Sequence, residues 1–211
     1  MDHKKEARKV QAKTIIQNLQ KRNMEGFYFD NSKNCVAGIL SQIPENSTIS
    51  WGGSVTFQET GMKEAVSNGH YNLIDRSLPV TDEEKRLCFS KIVLSDYFFM
   101  STNAITLDGE LINIDGNGNR LACLLQGPSQ VIILAGMNKV VSSVEEGIKR
   151  VHNIASPPNT IRLNKKTPCA LTGRCENCLS PDCICSHTVV TRHSGTKGRI
   201  LVYLINEDLG F

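Results

Sequence analysis

Val10, Ile15, Ile16 and Leu19 recur near helical spacing among Lys, Arg and Gln, which predicts a helix over residues 2–23 with one packed stripe, stopped at Gly26. Residues 26–30 read as a short strand, and Ser32 as the cap of a helix that reaches Gln42 and ends at Pro44. Residues 48–51 form a β-branched strand that meets Gly52-Gly53-Ser54; residues 55–67 fit a helix and 71–75 the next strand. Strand, glycine turn, helix, strand is the order of a parallel sheet. Thr81-x-x-Glu84 has the spacing of a capping box and starts a helix to about residue 94. A strand over 96–106, a hairpin turn at Asp108-Gly109 and an antiparallel return over 110–114 follow. Beyond the polar run 115–120 come a short apolar segment, a buried strand over 130–135, and a helix from Ser143-x-x-Glu146 to about residue 154, broken by Pro157-Pro158. An aperiodic loop over 169–185 and a strand over 199–206 close the chain. The expected fold is therefore α/β, with a mostly parallel sheet flanked by helices and a C-terminal cysteine-rich loop, in a single domain over residues 1–211.

Composition supports a packed fold. In 211 residues, 40% are hydrophobic and 21% charged, enough apolar material for one core and unlike a disordered chain or a coiled coil. The net charge of +3 gives no polycation for a nucleic acid partner. No apolar run approaches the roughly 20 residues of a membrane span. The first residues show neither the apolar stretch of a signal peptide nor a lipidation motif, so a cytoplasmic location is expected. The charge is unevenly spread, however. Arg162, Lys165, Lys166, Arg174, Arg192, Lys197 and Arg199 face only Glu176 and Asp182 in the stretch that also holds five of the 8 cysteines.

Three constellations carry candidate chemistry. Gly52, Gly53 and Ser54 lie between a strand end and a helix start, where free N–H groups favour an anion, although neither G-x-G-x-x-G nor a P-loop lysine motif surrounds them. Asp115-Gly-Asn117-Gly-Asn119-Arg120 gathers hydrogen-bonding side chains and a guanidinium able to grip a carboxylate or phosphate, with Asn103 and Asp108 on the strand beside it; the alternative is a turn bonded to its own backbone. Ligands of open α/β sheets bind outside the carboxyl ends of the strands, where both segments fall. The third is Cys169-x5-Cys175-x2-Cys178-x4-Cys183-x-Cys185, too many thiols in a basic loop to be packing. Four thiolates suit an iron-sulfur cluster, with zinc as the alternative, and disulfides or free thiols stay open. His187 is an alternative ligand, more simply a surface loop residue. Cys35, Cys88 and Cys123 sit singly and read as core. No hydrolase motif occurs.

Together with Trp51-Gly-Gly-Ser-Val-Thr, Ser101-Thr-Asn-Ala-Ile-Thr-x-Asp-Gly-Glu-Leu, Ile114-Asp-Gly-Asn-Gly-Asn-Arg120 and Gly136-Met-Asn-Lys-Val-Val, these constellations resemble the LUD family, the lactate-utilisation domain proteins, over residues 5–211. The resemblance implies a fold similar to ribose-5-phosphate isomerase, glucosamine-6-phosphate deaminase and the CoA transferases, and association with L-lactate oxidation beside iron-sulfur proteins. It assigns Gly52, Gly53 and Ser54 to the glycine turn and Asn103, Asp108, Asp115, Asn117, Asn119 and Arg120 to the central polar motif. It makes Cys169, Cys175, Cys178 and Cys185 the metal ligands of a cysteine loop over 167–187, with a 4Fe-4S cluster the leading group. Cys183 departs from the pattern, where a basic residue is expected, and stands in reserve. No residue matches the catalytic glutamate of the CoA transferases. The function implied is an iron-sulfur component of organic-acid oxidation that holds a small carboxylate or phosphorylated ligand and works with a redox protein. The alternatives are an isomerase or acyl-transferase acting alone on a phosphorylated or CoA-linked substrate, and a regulatory protein with a structural metal.

Overall fold

In the computed structural model, which describes residues 2–211, helix α1 (His3–Lys21) starts at Asp2, whose carboxylate accepts the N–H groups of Lys4 and Lys5, and buries Ala12, Ile15 and Leu19. Gly26, expected as its stop, lies inside strand β1 (Glu25–Phe29). A Cβ there would meet Ile16 and Leu19 at 2.9 Å, so glycine lets β1 approach α1. Helix α2 (Ser32–Leu40) is capped by Asn31, not Ser32: the Asn31 side chain accepts the Asn34 N–H at 2.9 Å. After β2 (Thr48–Trp51) the single expected helix is two, α3 (Val55–Glu59) and α4 (Met62–Ser67), parted at Gly61 with φ of +75°.

Strand β3 (Asn72–Ile74) leads to α5 (Asp82–Val93), where the capping box of Thr81 and Glu84 is made in both directions. The strand expected over 96–106 is split into β4 (Tyr97–Met100) and β5 (Ala104–Thr106). Thr102 makes the corner: its buried hydroxyl reaches the carbonyls of Ala104 and Ile112 at 2.8 and 3.1 Å. Strand β6 (Leu111–Asp115) returns antiparallel to β5 past Gly109, whose φ is +84°. Then come α6 (Asn119–Leu125), β7 (Gln130–Gly136), β8 (Val140–Val141) and α7 (Val144–Arg150). Pro157-Pro158 does not break the helix. A π turn (Val151–Ala155) widens it, and both prolines fall in the first turn of α8 (Ser156–Arg162), where a missing N–H leaves little unsatisfied. Helix α9 (Pro168–Thr172) opens the cysteine loop; β9 (His187–Thr191), which the apolar pattern does not signal, and β10 (Ile200–Ile205) follow it.

The large sheet is parallel throughout, in the order β1-β10-β7-β4-β2-β3. Alternate residues of its central strands face two cores. Val131, Ile133, Ala135, Ile200, Val202 and Leu204 pack with α1, α5 and α6, while Ile132, Leu134, Leu201, Tyr203 and Ile205 pack with α2, α3 and α4. The fold is thus α/β, helices covering both faces of the sheet. A second, mixed sheet, β8-β5-β6-β9, packs Ala104, Ile112 and Ile114 against Val151 and Ala155. The chain crosses from one sheet to the other at residues 101–103, and the crossing leaves a crevice at the carboxyl ends of β2 and β4. Among the described residues, no helix is long and apolar enough to cross a membrane.

Candidate functional site

A cavity of about 400 Å³ opens at that crossing. Its walls combine the glycine turn at Gly53 and Ser54, the corner at Ser101, Thr102 and Asn103, the polar turn at Asp115, Asn117, Asn119 and Arg120, and the cysteine loop at Pro181, Asp182, Cys183 and Ile184. Two of the predicted residues stand elsewhere. Gly52 lies behind the wall, where a Cβ would meet Cδ of Arg120 at 3.4 Å. Asp108 lines a separate hollow with Asn18, Lys21, Arg22, Arg192 and His193.

The polar turn is held together from within. One Asp115 oxygen accepts the N–H groups of Asn117 and Gly118 at 3.1 and 3.2 Å, and the other accepts Nε of Arg120 at 3.1 Å. The Arg120 guanidinium also donates to Asn113 Oδ1 at 2.6 Å, Asn103 Oδ1 at 3.1 Å, and the carbonyls of Ser101 and Ile114 at 3.1 and 2.9 Å. These bonds engage all five of its N–H groups. Burial lowers its pKa and Asp115 opposes that. Arg120 therefore ties the corner after β4 to β6 and α6 at the cavity rim, with only 15% of its side chain exposed. Ser54 caps α3, its hydroxyl accepting the Phe57 N–H at 3.2 Å.

The residue the sequence reading missed is Lys139, just before β8. It is 3% exposed, lines the cavity, and donates from Nζ to Thr56 Oγ1 and Ser101 Oγ, each at 2.9 Å. Burial, reinforced by Arg150 and Arg120, brings its pKa down to about 7, with Glu59 acting weakly the other way. Its position in Gly136-Met-Asn-Lys, three residues past the end of a largely apolar strand, is the one sequence signal that could have marked it. Arg76, Arg162 and Lys165 also line the cavity, against Asp115 and Asp182. Asp115 is paired with Arg120, and Asp182 lies 3.5 Å from Lys165. The cavity thus carries an excess of positive charge.

In the cysteine loop, burial, opposed by the Ser156 hydroxyl and helped by the neighbouring Cys183 and Cys175, brings the Cys185 thiol up to about 11. Sγ of Cys175 accepts the Asn177 N–H at 3.4 Å and lies 3.3 Å from Nδ1 of His152, on the π turn. Sγ of Cys183 accepts the Cys185 N–H at 3.4 Å. Cys169, on α9, is buried with the hydroxyls of Thr167 and Thr160 at 3.2 and 3.6 Å from its sulfur. Cys178 is half-buried. His187, read as a loop residue, is the first residue of β9. Among the described residues, no three His, Cys, Asp or Glu side chains stand together as a metal would need. The donor chemistry nevertheless fits a thiolate-held group: soft sulfurs in one loop, two of them already accepting backbone N–H bonds. Cys35 and Cys123 are buried in the core and Cys88 packs against it.

The polar turn and the cysteine loop touch. A Cβ on Gly116 would meet Cα of Ile184 at 3.2 Å, and one on Gly118 would meet the His187 ring at 3.5 Å.

Comparison with known proteins agrees with this architecture. Among solved structures, a DUF162 family protein from Deinococcus radiodurans matches with a TM-score of 0.50 and 13% identity, covering 95% of this chain and 98% of that one. The eIF2B delta protein from Chaetomium thermophilum matches with a TM-score of 0.36 and 15% identity, over 56% of this chain and 50% of that one. A search of curated proteins gives no match. The LUD domain model matches residues 12–205, nearly the whole chain, and the protein belongs to the LUD domain family.

Proposed function

We propose that this lactate-utilisation-type protein binds a small organic anion in the cavity between its two sheets and holds an iron-sulfur cluster on the adjoining cysteine loop, as a cytoplasmic component of organic-acid oxidation. The observation that supports it is the shared wall: residues 181–184 of the cysteine loop line the same cavity as the glycine and polar turns. Excess positive charge favours a carboxylate or phosphate there, because a cavity walled by protein screens charge less than water does. Arg76 and Arg162, which have no carboxylate partner among the described residues, are the groups left to meet the ligand; Arg120 shapes the rim instead. Cys169, Cys175, Cys178 and Cys185 would hold the cluster, with Cys183 beside them and zinc as the alternative metal. A cluster bound there supplies one-electron transfer, so a redox partner protein takes the electrons onward.

Anaerobic preparation followed by absorption spectroscopy and assay of iron and acid-labile sulfide tests the metal; Cys175→Ser should lose most of the iron. Zinc, or no metal in protein kept reduced throughout, would remove the electron-transfer role. Calorimetric titration with lactate and with inorganic phosphate tests the cavity, and Arg162→Ala should weaken binding by about 1.5–3 kcal/mol, the worth of a charged hydrogen bond.

A second reading is favoured by Lys139. A buried amine with its pKa brought down to about 7, in a substrate-sized cavity, suits an isomerase or acyl-transferase that works without a redox partner. Turnover of a sugar phosphate or a CoA ester by the isolated, metal-free chain at about 1 per second or faster would support this reading.

A further inference from the structure

The hydrogen bonds around Lys139 determine which form of its side chain the site accommodates. The Thr56 hydroxyl gives its own proton to the Leu209 carbonyl at 3.5 Å, and the Ser101 hydroxyl gives its proton to the Thr102 carbonyl at 3.2 Å. Each hydroxyl therefore accepts from Lys139. A neutral amine satisfies both with its two N–H groups and keeps one lone pair. An ammonium would carry a third N–H, and among the described residues no carboxylate stands within ion-pair distance of it. Glu59 of α3, the acid nearest in effect, accepts the Gly210 N–H at 2.6 Å, while Arg120 of α6 and Arg150 of α7 face Lys139 with like charge. Arg150 is itself occupied, donating to the carbonyls of Asn103 and Asn138 at 2.8 and 3.2 Å and to a backbone oxygen of Phe211 at 3.3 Å. These surroundings favour the neutral amine of Lys139 over its ammonium, in the wall of a positively charged cavity.

We propose that Lys139 captures the carbonyl carbon of a small 2-oxo acid in this cavity as a reversible imine. The pairing of features selects the ligand class: the amine needs an aldehyde or ketone, and the surrounding cations need an anion, so a carbonyl beside a carboxylate satisfies both. The Nζ lone pair forms the new C–N bond as the carbonyl π bond opens onto oxygen. The two N–H protons then leave with that oxygen as water, giving the C=N bond, and no oxidant or reductant takes part. The inference rests on the reading of the cavity as a site for small organic anions, and the test separates the two.

The full-length protein is incubated with pyruvate and cyanoborohydride, and the reduced adduct is located by intact mass and peptide mapping; pyruvate binding is measured in parallel by calorimetry without reductant. The expected result is a single adduct at Lys139, lost in Lys139→Met and suppressed in the wild type by an excess of lactate, which carries the carboxylate without the carbonyl. Mapping in the wild type and the lactate competition both stand even where Lys139→Met fails to fold. Calorimetric binding with no adduct at Lys139 overturns the imine and leaves the anion site intact. Adducts scattered over exposed lysines and indifferent to lactate also overturn it. Absence of both binding and adduct overturns the imine and the anion site together.

Discussion

Lys139 and Arg120 sit on the same cavity and owe their states to different surroundings. Arg120 has Asp115 at 3.1 Å and a full set of acceptors, so its charge is retained. Lys139 is buried with only two hydroxyls as partners and with cationic neighbours, so its charge is disfavoured, burial contributing most. The pH dependence follows from the lowered pKa. Between about 7, the folded value, and 10.5, the ordinary value, the unfolded chain binds more protons than the folded one, so this lysine makes stability rise with pH across that window. Below about pH 7 its full penalty is present. Lys139→Met should therefore raise Tm at pH 6 by more than at pH 10; an equal change at both values in thermal melts would mean that the lysine is not held neutral. Arg120→Met strands Asp115, whose side chain is 13% exposed, and should cost about 3–5 kcal/mol in urea unfolding. The polar run 115–120 was legible because three Asx residues and an arginine crowd one turn. Which of them would face inward was not, since Arg120 finds its acceptors on Ser101, Asn103 and Asn113, and that convergence exists only after folding.

Helix starts were readable, to within a residue at α2, where a side chain closes on a backbone N–H nearby. Thr81 and Glu84 make both halves of their box, and Thr81→Ala should lower stability by about 1 kcal/mol with little effect on the cavity, measured by denaturant unfolding alongside ligand titration. At Ser143 the same spacing forms only in part: its hydroxyl caps the Glu146 N–H, but the Glu146 carboxylate turns to Ser142. Interruptions within elements were harder to see. The β-prone run from Tyr97 to Thr106 conceals a corner, because the buried Thr102 hydroxyl donates to the carbonyls of Ala104 and Ile112, contacts that an unbroken strand would not use. Pro157-Pro158 reads as a break because a helix interior cannot accept proline, yet a widened turn places both at a new first turn. Strand β9 has no apolar alternation of its own, being half solvent-facing; its pairing with β6 brings it into the sheet.

At the scale of the molecule, the βαβ order predicted the parallel sheet flanked by helices, and the strand over 130–135 was read as buried; the near-continuous apolar runs of β7 and β10 match a sheet covered on both faces. The small mixed sheet was not foreseen beyond the hairpin of β5 and β6, because β8 and β9 are recruited from distant parts of the chain. Neither was the meeting of the cysteine loop with the polar turn, which takes place between segments some seventy residues apart. There the backbone of Ile184 rests so close to Gly116 that even a methyl group would crowd it. If the loop holds a metal and the cavity an anion as proposed, an arrangement of the loop that suits the one is also an arrangement of the turn, and the two occupancies are linked through this contact. Linkage is reciprocal: whatever factor metal loading applies to the affinity of a cavity anion, the anion must apply to retention of the metal. Titrating phosphate into metal-loaded and metal-free protein gives one factor, and chelation with and without phosphate gives the other. Gly116→Ala, which forces the loop back by a few tenths of an ångström, should change both by the same amount, so that a single methyl group would retune two equilibria at once.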